Sequence, residues 1–134
     1  MAILQPTTRI VELPISLRLA EQDDLQKLEW YGQFTHYRQL YLRAYREQLQ
    51  GKRLMLLADC NNFPIGQIFI QLKSTNERIA DGQTRAYLYS FRVMDMFQGR
   101  GIGTWLVQEA ESMLIDRGIQ WATIAVSKKN HGAL

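Results

Sequence analysis

The sequence predicts a three-layer α+β fold, with a mixed, mainly antiparallel central sheet flanked by helices, in one domain over residues 1–134. Two observations point that way. Apolar residues alternate with period two in several short segments joined by turn signals, which suits hairpins and antiparallel neighbours. Toward the end of the chain the period lengthens to 3.6 between two such segments, which suits a helical crossover between parallel strands.

Ile15, Leu17 and Leu19 alternate with polar residues and mark a half-buried strand over 15–19. Glu21, Asp23 and Asp24 then stand just before or inside a helical first turn, where the helix dipole favours acids. Leu25, Leu28 and Tyr31 continue at helical spacing. A second helix is expected over 36–50, with Tyr37, Leu40, Tyr41, Ala44, Tyr45 and Leu49 at helical spacing and Gly51 as its stop. A meander follows: an apolar strand over 53–60, a turn at 61–64, and a strand over 65–73 with Ile68, Ile70 and Leu72 on one face. Asp81-Gly82 signals a turn in the polar stretch 76–84. The next strand, 85–94, is expected to place Tyr87, Tyr89, Phe91 and Val93 on a shared face. Ile102, Leu106, Ala110, Met113 and Leu114 then form a helical stripe capped by Gly118, and 120–126 reads as a short strand.

Composition narrows the function classes. Hydrophobic residues at 46% and charged residues at 22% suit a folded domain rather than a disordered one. A net charge of +3, with no basic run longer than Lys128-Lys129, is no footprint for nucleic acid. Cys60 is the only cysteine, so no internal disulfide forms and a reducing, cytoplasmic setting is expected. No apolar run reaches the 18 or so residues that a membrane span needs, and Met1–Pro14 lacks the core of a signal peptide. No metal is expected, because His36 and His131 have no partners at ligand spacing.

The chemistry concentrates in Gln98-Gly99-Arg100-Gly101-Ile102-Gly103-Thr104, between a strand and a helix. Glycines at 99, 101 and 103 leave backbone amides uncovered and allow unusual φ values. Those amides lie beside a helix N-terminus, where unpaired donors and the macrodipole favour an anion. No acidic side chain occurs from Phe97 to Gln108, and Arg100 can add a charge-assisted hydrogen bond. Two readings fit: a pyrophosphate site, or a glycine-rich turn that packs the helix closely on the sheet. The P-loop string G-x-x-x-x-G-K-[ST] is absent, and the dinucleotide fingerprint would need glycine where Thr104 stands.

The stretch from Tyr89 to Leu106 resembles the central motif of the GNAT superfamily of N-acetyltransferases, an apolar strand followed by Gln/Arg-x-x-Gly-x-Gly/Ala. Gln98, Gly101 and Gly103 fill its defining positions. The order of elements from Ile15 to Val126 is also similar to that family's. The resemblance implies acetyl-CoA as donor and a small-molecule or peptide amine as acceptor; composition has already argued against a nucleic acid or membrane partner. It implies that Phe91, Arg92 and Val93 pair their backbones with the pantetheine arm, and that Gln98 to Thr104 hold the pyrophosphate. The Val93 N–H would stabilise the oxyanion as the amine attacks in a ternary complex.

Asp95 stands where the family often has proline. Ser127 to Leu134 resembles the start of the next family motif, in which Asn130 opens a helix beside the cofactor. The expectation is therefore a chain truncated at its C-terminus, lacking that helix and the strands beyond it, with an exposed sheet edge that favours a homodimer. A non-catalytic CoA-binding or regulatory module is the alternative function.

Other residues carry plainer readings. Cys60 is expected as a small buried hydrophobe and His36 as a surface residue at a helix start. Tyr37, Tyr41 and Tyr45 suit core or groove lining, and in the resembling family this helical region borders the acceptor pocket. Glu29 and Glu47 read as solvated helix charges, so no general base is assigned.

Overall fold

The structure, a computed structural model, describes residues 3–125. Its elements run β1 (Ile15–Leu19), α1 (Asp24–Lys27), α2 (Arg38–Leu49), β2 (Arg53–Cys60), β3 (Phe63–Gln71), β4 (Arg85–Val93), α3 (Ile102–Asp116) and β5 (Trp121–Ile124), with 3-10 turns at Thr35–Tyr37 and Asp95–Phe97. The five strands lie in sequence order in one sheet. β1 to β4 pair antiparallel, β1 and β2 being joined across α1 and α2, whereas β4 and β5, joined across α3, pair parallel. The mixed, mainly antiparallel sheet is thus the one that the periodicities predict. The reading over 126–134, Asn130 included, lies outside the described residues.

Both faces of the sheet are covered. Leu54, Leu56, Ile68, Ile70, Leu88, Phe91 and Val93 pack under Leu106, Ala110 and Leu114 of α3. Met55, Leu57 and Phe69 pack on the other face, against Leu28 and the α2 residues Tyr41 and Ala44. Residues 54 to 58 of β2 are all buried, because successive side chains enter opposite layers. Asn61 and Asn62, both at positive φ, close the β2–β3 hairpin, so Phe63 and Pro64 belong to β3 rather than to the turn.

Two further expectations need correction. The apolar spacing through Tyr31 does not extend α1, which stops at Lys27. Trp30, Tyr31 and Gly32 turn left-handed at φ 44°, 58° and 95°. Trp30 swings inward to donate its indole N–H to Pro64 O, while Tyr31 is 90% exposed and stacks on Phe63. The second correction concerns β4. Tyr87 and Tyr89 do not share a face with Phe91 and Val93. Ser90 takes φ 53°, and the β3–β4 register shifts between Gln67 and Phe69, so one extra residue stands opposite β3. Such a bulge reverses the alternation. Tyr89 therefore packs with the α2 layer, and Phe91 and Val93 pack under α3.

α3 ends as expected. Gly118 at φ 71° donates to Ile115 O, and Ile119 donates to Leu114 O, which closes the last turn. Nothing lies within 4 Å of a Cβ added at Gly118, so its requirement is purely conformational. Gly118→Ala is expected to cost about 1 kcal/mol. Leu106→Ala, which empties a fully buried position between α3 and the sheet, should cost about 3 kcal/mol. Denaturant unfolding of the two variants checks both values.

Candidate functional site

β4 carries two kinds of backbone. Its first half, Arg85 to Leu88, pairs with β5, and the last described bond of that ladder runs from Ala125 N–H to Leu88 O at 2.9 Å. The bulge at Ser90 follows immediately. Beyond it, Met94 donates its N–H to Ile65 O of β3 at 2.8 Å. Successive strand amides alternate in direction, so the Val93 N–H points to the opposite edge, the one that β5 flanks lower down.

The chain then turns through Asp95–Phe97 into the glycine loop. Gly99 and Gly101 are left-handed at φ 73° and 81°, and an added Cβ would meet nothing within 4 Å at either. Gly101 is the N-cap of α3, makes no side-chain cap bond, and accepts the first helical hydrogen bond from Trp105 N–H. No acid stands in the first turn of α3. The N–H groups of Ile102 and Gly103, in the first turn, have no acceptor within the helix by geometry. An anion placed there meets backbone donors, the positive end of a helix dipole and the exposed Arg100.

Gln98 is turned inward. Its side-chain NH₂ donates to Val93 O at 2.8 Å and to Asp95 Oδ1 at 3.2 Å, so it braces the loop against the end of β4. Asp95 thereby has a structural task in the place often held by proline. Gly103 differs from the reading of three alternating special glycines: it is helical and buried, and only Gly99 and Gly101 need left-handed backbone. The Ile102 side chain enters the core under α3, which leaves its amide for any ligand. A groove of about 560 Å³ borders Arg100, Gly101 and Ile102, with Val11, Leu13 and Trp105 on its other walls. Phe91 to Val93 and Gln98 to Thr104 therefore meet at one place, the junction of β4 and α3.

Arg92 is divided between the two faces of the sheet. Its backbone belongs to this junction, but its side chain leaves on the α2 face and is 9% exposed. One guanidinium nitrogen donates to Leu28 O at 2.7 Å, Tyr41 Oη at 2.6 Å and Gln67 Oε1 at 3.0 Å. The guanidinium carbon lies 3.5 Å from the Phe34 ring centroid and 4.4 Å from that of Trp30. Burial lowers the Arg92 pKa, and the Tyr41 hydroxyl offsets part of that fall. Burial likewise pushes the Tyr89 phenol up to about 12, although Arg53, which bonds both Tyr89 Oη and Glu47, opposes it.

The carboxylates read as solvated charges are both engaged by arginines. Glu29 is 6% exposed and accepts two bonds of 2.9 Å from Arg38, which holds its carboxyl below the usual range. Glu47 is tied to Arg53. Cys60 is buried as expected, and His36 lies exposed in the 3-10 turn before α2. Gln67 and Trp30, which enclose Arg92, were not singled out by the sequence. The available signal was a glutamine inside an otherwise apolar central strand.

Arg18 anchors the start of α1, donating to both carboxylate oxygens of Asp24 at 2.7 and 2.8 Å and to Asp59 at 2.9 Å. Burial would raise the Asp24 pKa, but Arg18 and the Glu21 N–H outweigh it and hold the carboxyl below its ordinary value. A depressed folded pKa stabilises fully above the unfolded value, near 4, and that contribution disappears as pH falls through the folded one. Arg18→Gln should therefore cost about 2 kcal/mol at pH 7, allowing for the partial exposure of Arg18, and the deficit should shrink once Asp24 protonates. Urea unfolding of both proteins between pH 7 and pH 2 checks this.

The sequence from residue 19 to 134 matches the family model described as the acetyltransferase (GNAT) family. No curated protein matches it. Solved structures do. An acetyltransferase of Trypanosoma brucei is 18% identical, with a TM-score of 0.66 over 87% of this chain and 85% of that one. A predicted acetyltransferase from Clostridium acetobutylicum, solved with acetyl-CoA, is 16% identical, with a TM-score of 0.67 over 90% and 86% of the two chains. An aminoglycoside N-acetyltransferase in complex with CoA is 16% identical, with a TM-score of 0.69 over 92% and 84%.

Proposed function

Because the chain belongs to the acetyltransferase (GNAT) family, we propose that it moves the acetyl group of acetyl-CoA to a primary amine by direct attack within a ternary complex. The observation that carries this reading is the junction of β4 and α3. There a strand amide aimed at the β5 edge stands one short turn from a helix N-terminus free of acids. A thioester and a pyrophosphate are the two ends of one pantetheine arm, and this junction offers a donor for each.

In this reading the backbones of Phe91, Arg92 and Val93 run alongside the pantetheine, and the loop from Gln98 to Thr104 takes the pyrophosphate. Gly99, Arg100, Gly101 and the first-turn amides supply the contacts, while Gln98 holds the loop in shape. The amine nitrogen attacks the thioester carbon, the C–N bond forms and the C–S bond breaks. The amine gives up a proton and the departing thiolate gains one. Val93 N–H would meet the negative charge that develops on the carbonyl oxygen, where a fixed donor lowers the barrier most. Glu29 and Glu47 are engaged by arginines, so neither is assigned as the base that takes the amine's proton. Among the described residues no helix is long and apolar enough to cross a membrane, and the buried lone Cys60 suits a reducing cytoplasm.

Calorimetry with acetyl-CoA, followed by thiol release across a panel of amines, tests the proposal. Binding with no thiol release from any amine would favour a non-catalytic CoA module, and no binding would sink the donor assignment. Gly101→Asp separates site from fold. Aspartate tolerates the left-handed region and caps helices well, so stability should change by less than about 1 kcal/mol. Its carboxylate would stand where the pyrophosphate is placed, and acetyl-CoA affinity should fall about 100-fold, or about 2.7 kcal/mol.

A further inference from the structure

We propose that Gln67 is a positioning residue for the donor strand, the clamp that holds Ser90 in its left-handed conformation and so aims the β4 backbone beyond the bulge. The inference rests on the acetyl-CoA reading above and deepens it.

Three observations support the assignment. First, Ser90 is a non-glycine residue at φ 53° inside a strand, a conformation that persists only when its surroundings over-determine it. Second, the only side chain bonded to Ser90 among the described residues is Gln67, whose NH₂ donates to Ser90 O at 3.1 Å and to Ser90 Oγ at 2.8 Å. Gln67 is completely buried, at the point where the β3–β4 register shifts. Third, the orientation of the Gln67 amide is itself dictated. Its Oε1 accepts from Arg92, which can only donate, so the NH₂ must face Ser90. Arg92 is in turn fastened to Leu28 O and Tyr41 Oη. The chain of contacts runs from the helical layer through Arg92 and Gln67 to the bulge, and it ends on the strand that carries Val93.

The consequence is specific. Without the clamp, β4 can relax toward regular alternation, and a one-residue slip turns each amide beyond Ser90 to the other edge. The Val93 N–H would then face β3. A residue needed only for packing would lower stability and leave donor affinity alone, whereas a clamp on the bulge governs affinity.

The test uses the full chain and acetyl-CoA. Gln67→Leu should remain folded and bind acetyl-CoA about tenfold more weakly, the scale of losing its hydrogen-bond support. Adding Ser90→Gly to that variant should recover most of the affinity, because glycine holds φ near 53° without a clamp. Gln71→Leu removes another buried glutamine from the same face of β3, four residues away, and should leave acetyl-CoA affinity unchanged. Wild-type affinity in a folded Gln67→Leu protein would overturn the proposal, as would a loss that Ser90→Gly does not restore. Should Gln67→Leu fail to fold, Ser90→Val serves instead. A β-branched residue strains the left-handed position, so the same weakening is expected, and unaltered binding would overturn the clamp. A wild-type chain that binds no acetyl-CoA would overturn the donor reading itself, and the wild-type titration tells the two failures apart.

Discussion

The rest of the site depends on one residue's backbone, the left-handed turn of Ser90 inside β4. It adds one residue to the strand and splits its side chains between two layers. Before the bulge, Tyr89 joins Tyr41 and Phe69 in an aromatic cluster under α2. After it, Phe91 and Val93 join the α3 core. The same turn separates the part of β4 that pairs with β5 from the part whose Val93 amide faces that edge. Core packing and site geometry are therefore set by a single local conformation, which in a strand costs on the order of 1–3 kcal/mol.

That cost is met by a buried polar network rather than by a turn sequence. Gln67, Arg92 and Tyr41 are all less than a tenth exposed, and the cation among them has no carboxylate partner among the described residues. Aromatic faces of Phe34 and Trp30 take part of the role of a counter-ion. Arg92 Nε is buried with no hydrogen-bond partner among the described residues, so the network specifies this arrangement at a cost in stability. The arrangement also explains why α1 is so short. The left-handed run at Trp30, Tyr31 and Gly32 brings the Trp30 ring inward and leaves Leu28 O to receive Arg92.

The glycine loop works by a different principle. Gly99 and Gly101 have open space around the missing Cβ, so glycine is required there by φ and not by crowding. The Gln98 side chain spends its hydrogen bonds on the loop itself. What faces outward is backbone, one exposed arginine and a helix dipole. This suits an anion recognised by its charge and not by its shape.

Much of this could be read along the chain. Alternation over 15–19 and the apolar run over 53–60 placed β1 and β2 at their observed bounds, whereas β3 starts and ends two residues before the expected 65–73. The glycine pattern and the absence of acids from Phe97 to Gln108 marked the left-handed loop and the acid-free N-terminus of α3, since both are local requirements of a helix start. Other features had no local signature. The face reversal in β4 arises where Gln67, 23 residues earlier, reaches Ser90, and serine itself carries no preference for positive φ. The side chain of Arg92 left the cleft because Leu28, Tyr41 and Gln67, from separate elements, offered it acceptors. Glu29 looked solvated until the turn before α2 brought Arg38 onto it. The layers and the glycine loop before α3 were legible along the chain, because periodicity and glycine act within a few residues. Where β4 bulges, which way Arg92 points and which carboxylates are engaged depend on hydrogen bonds between residues distant in the chain, so they emerge only once the layers are packed.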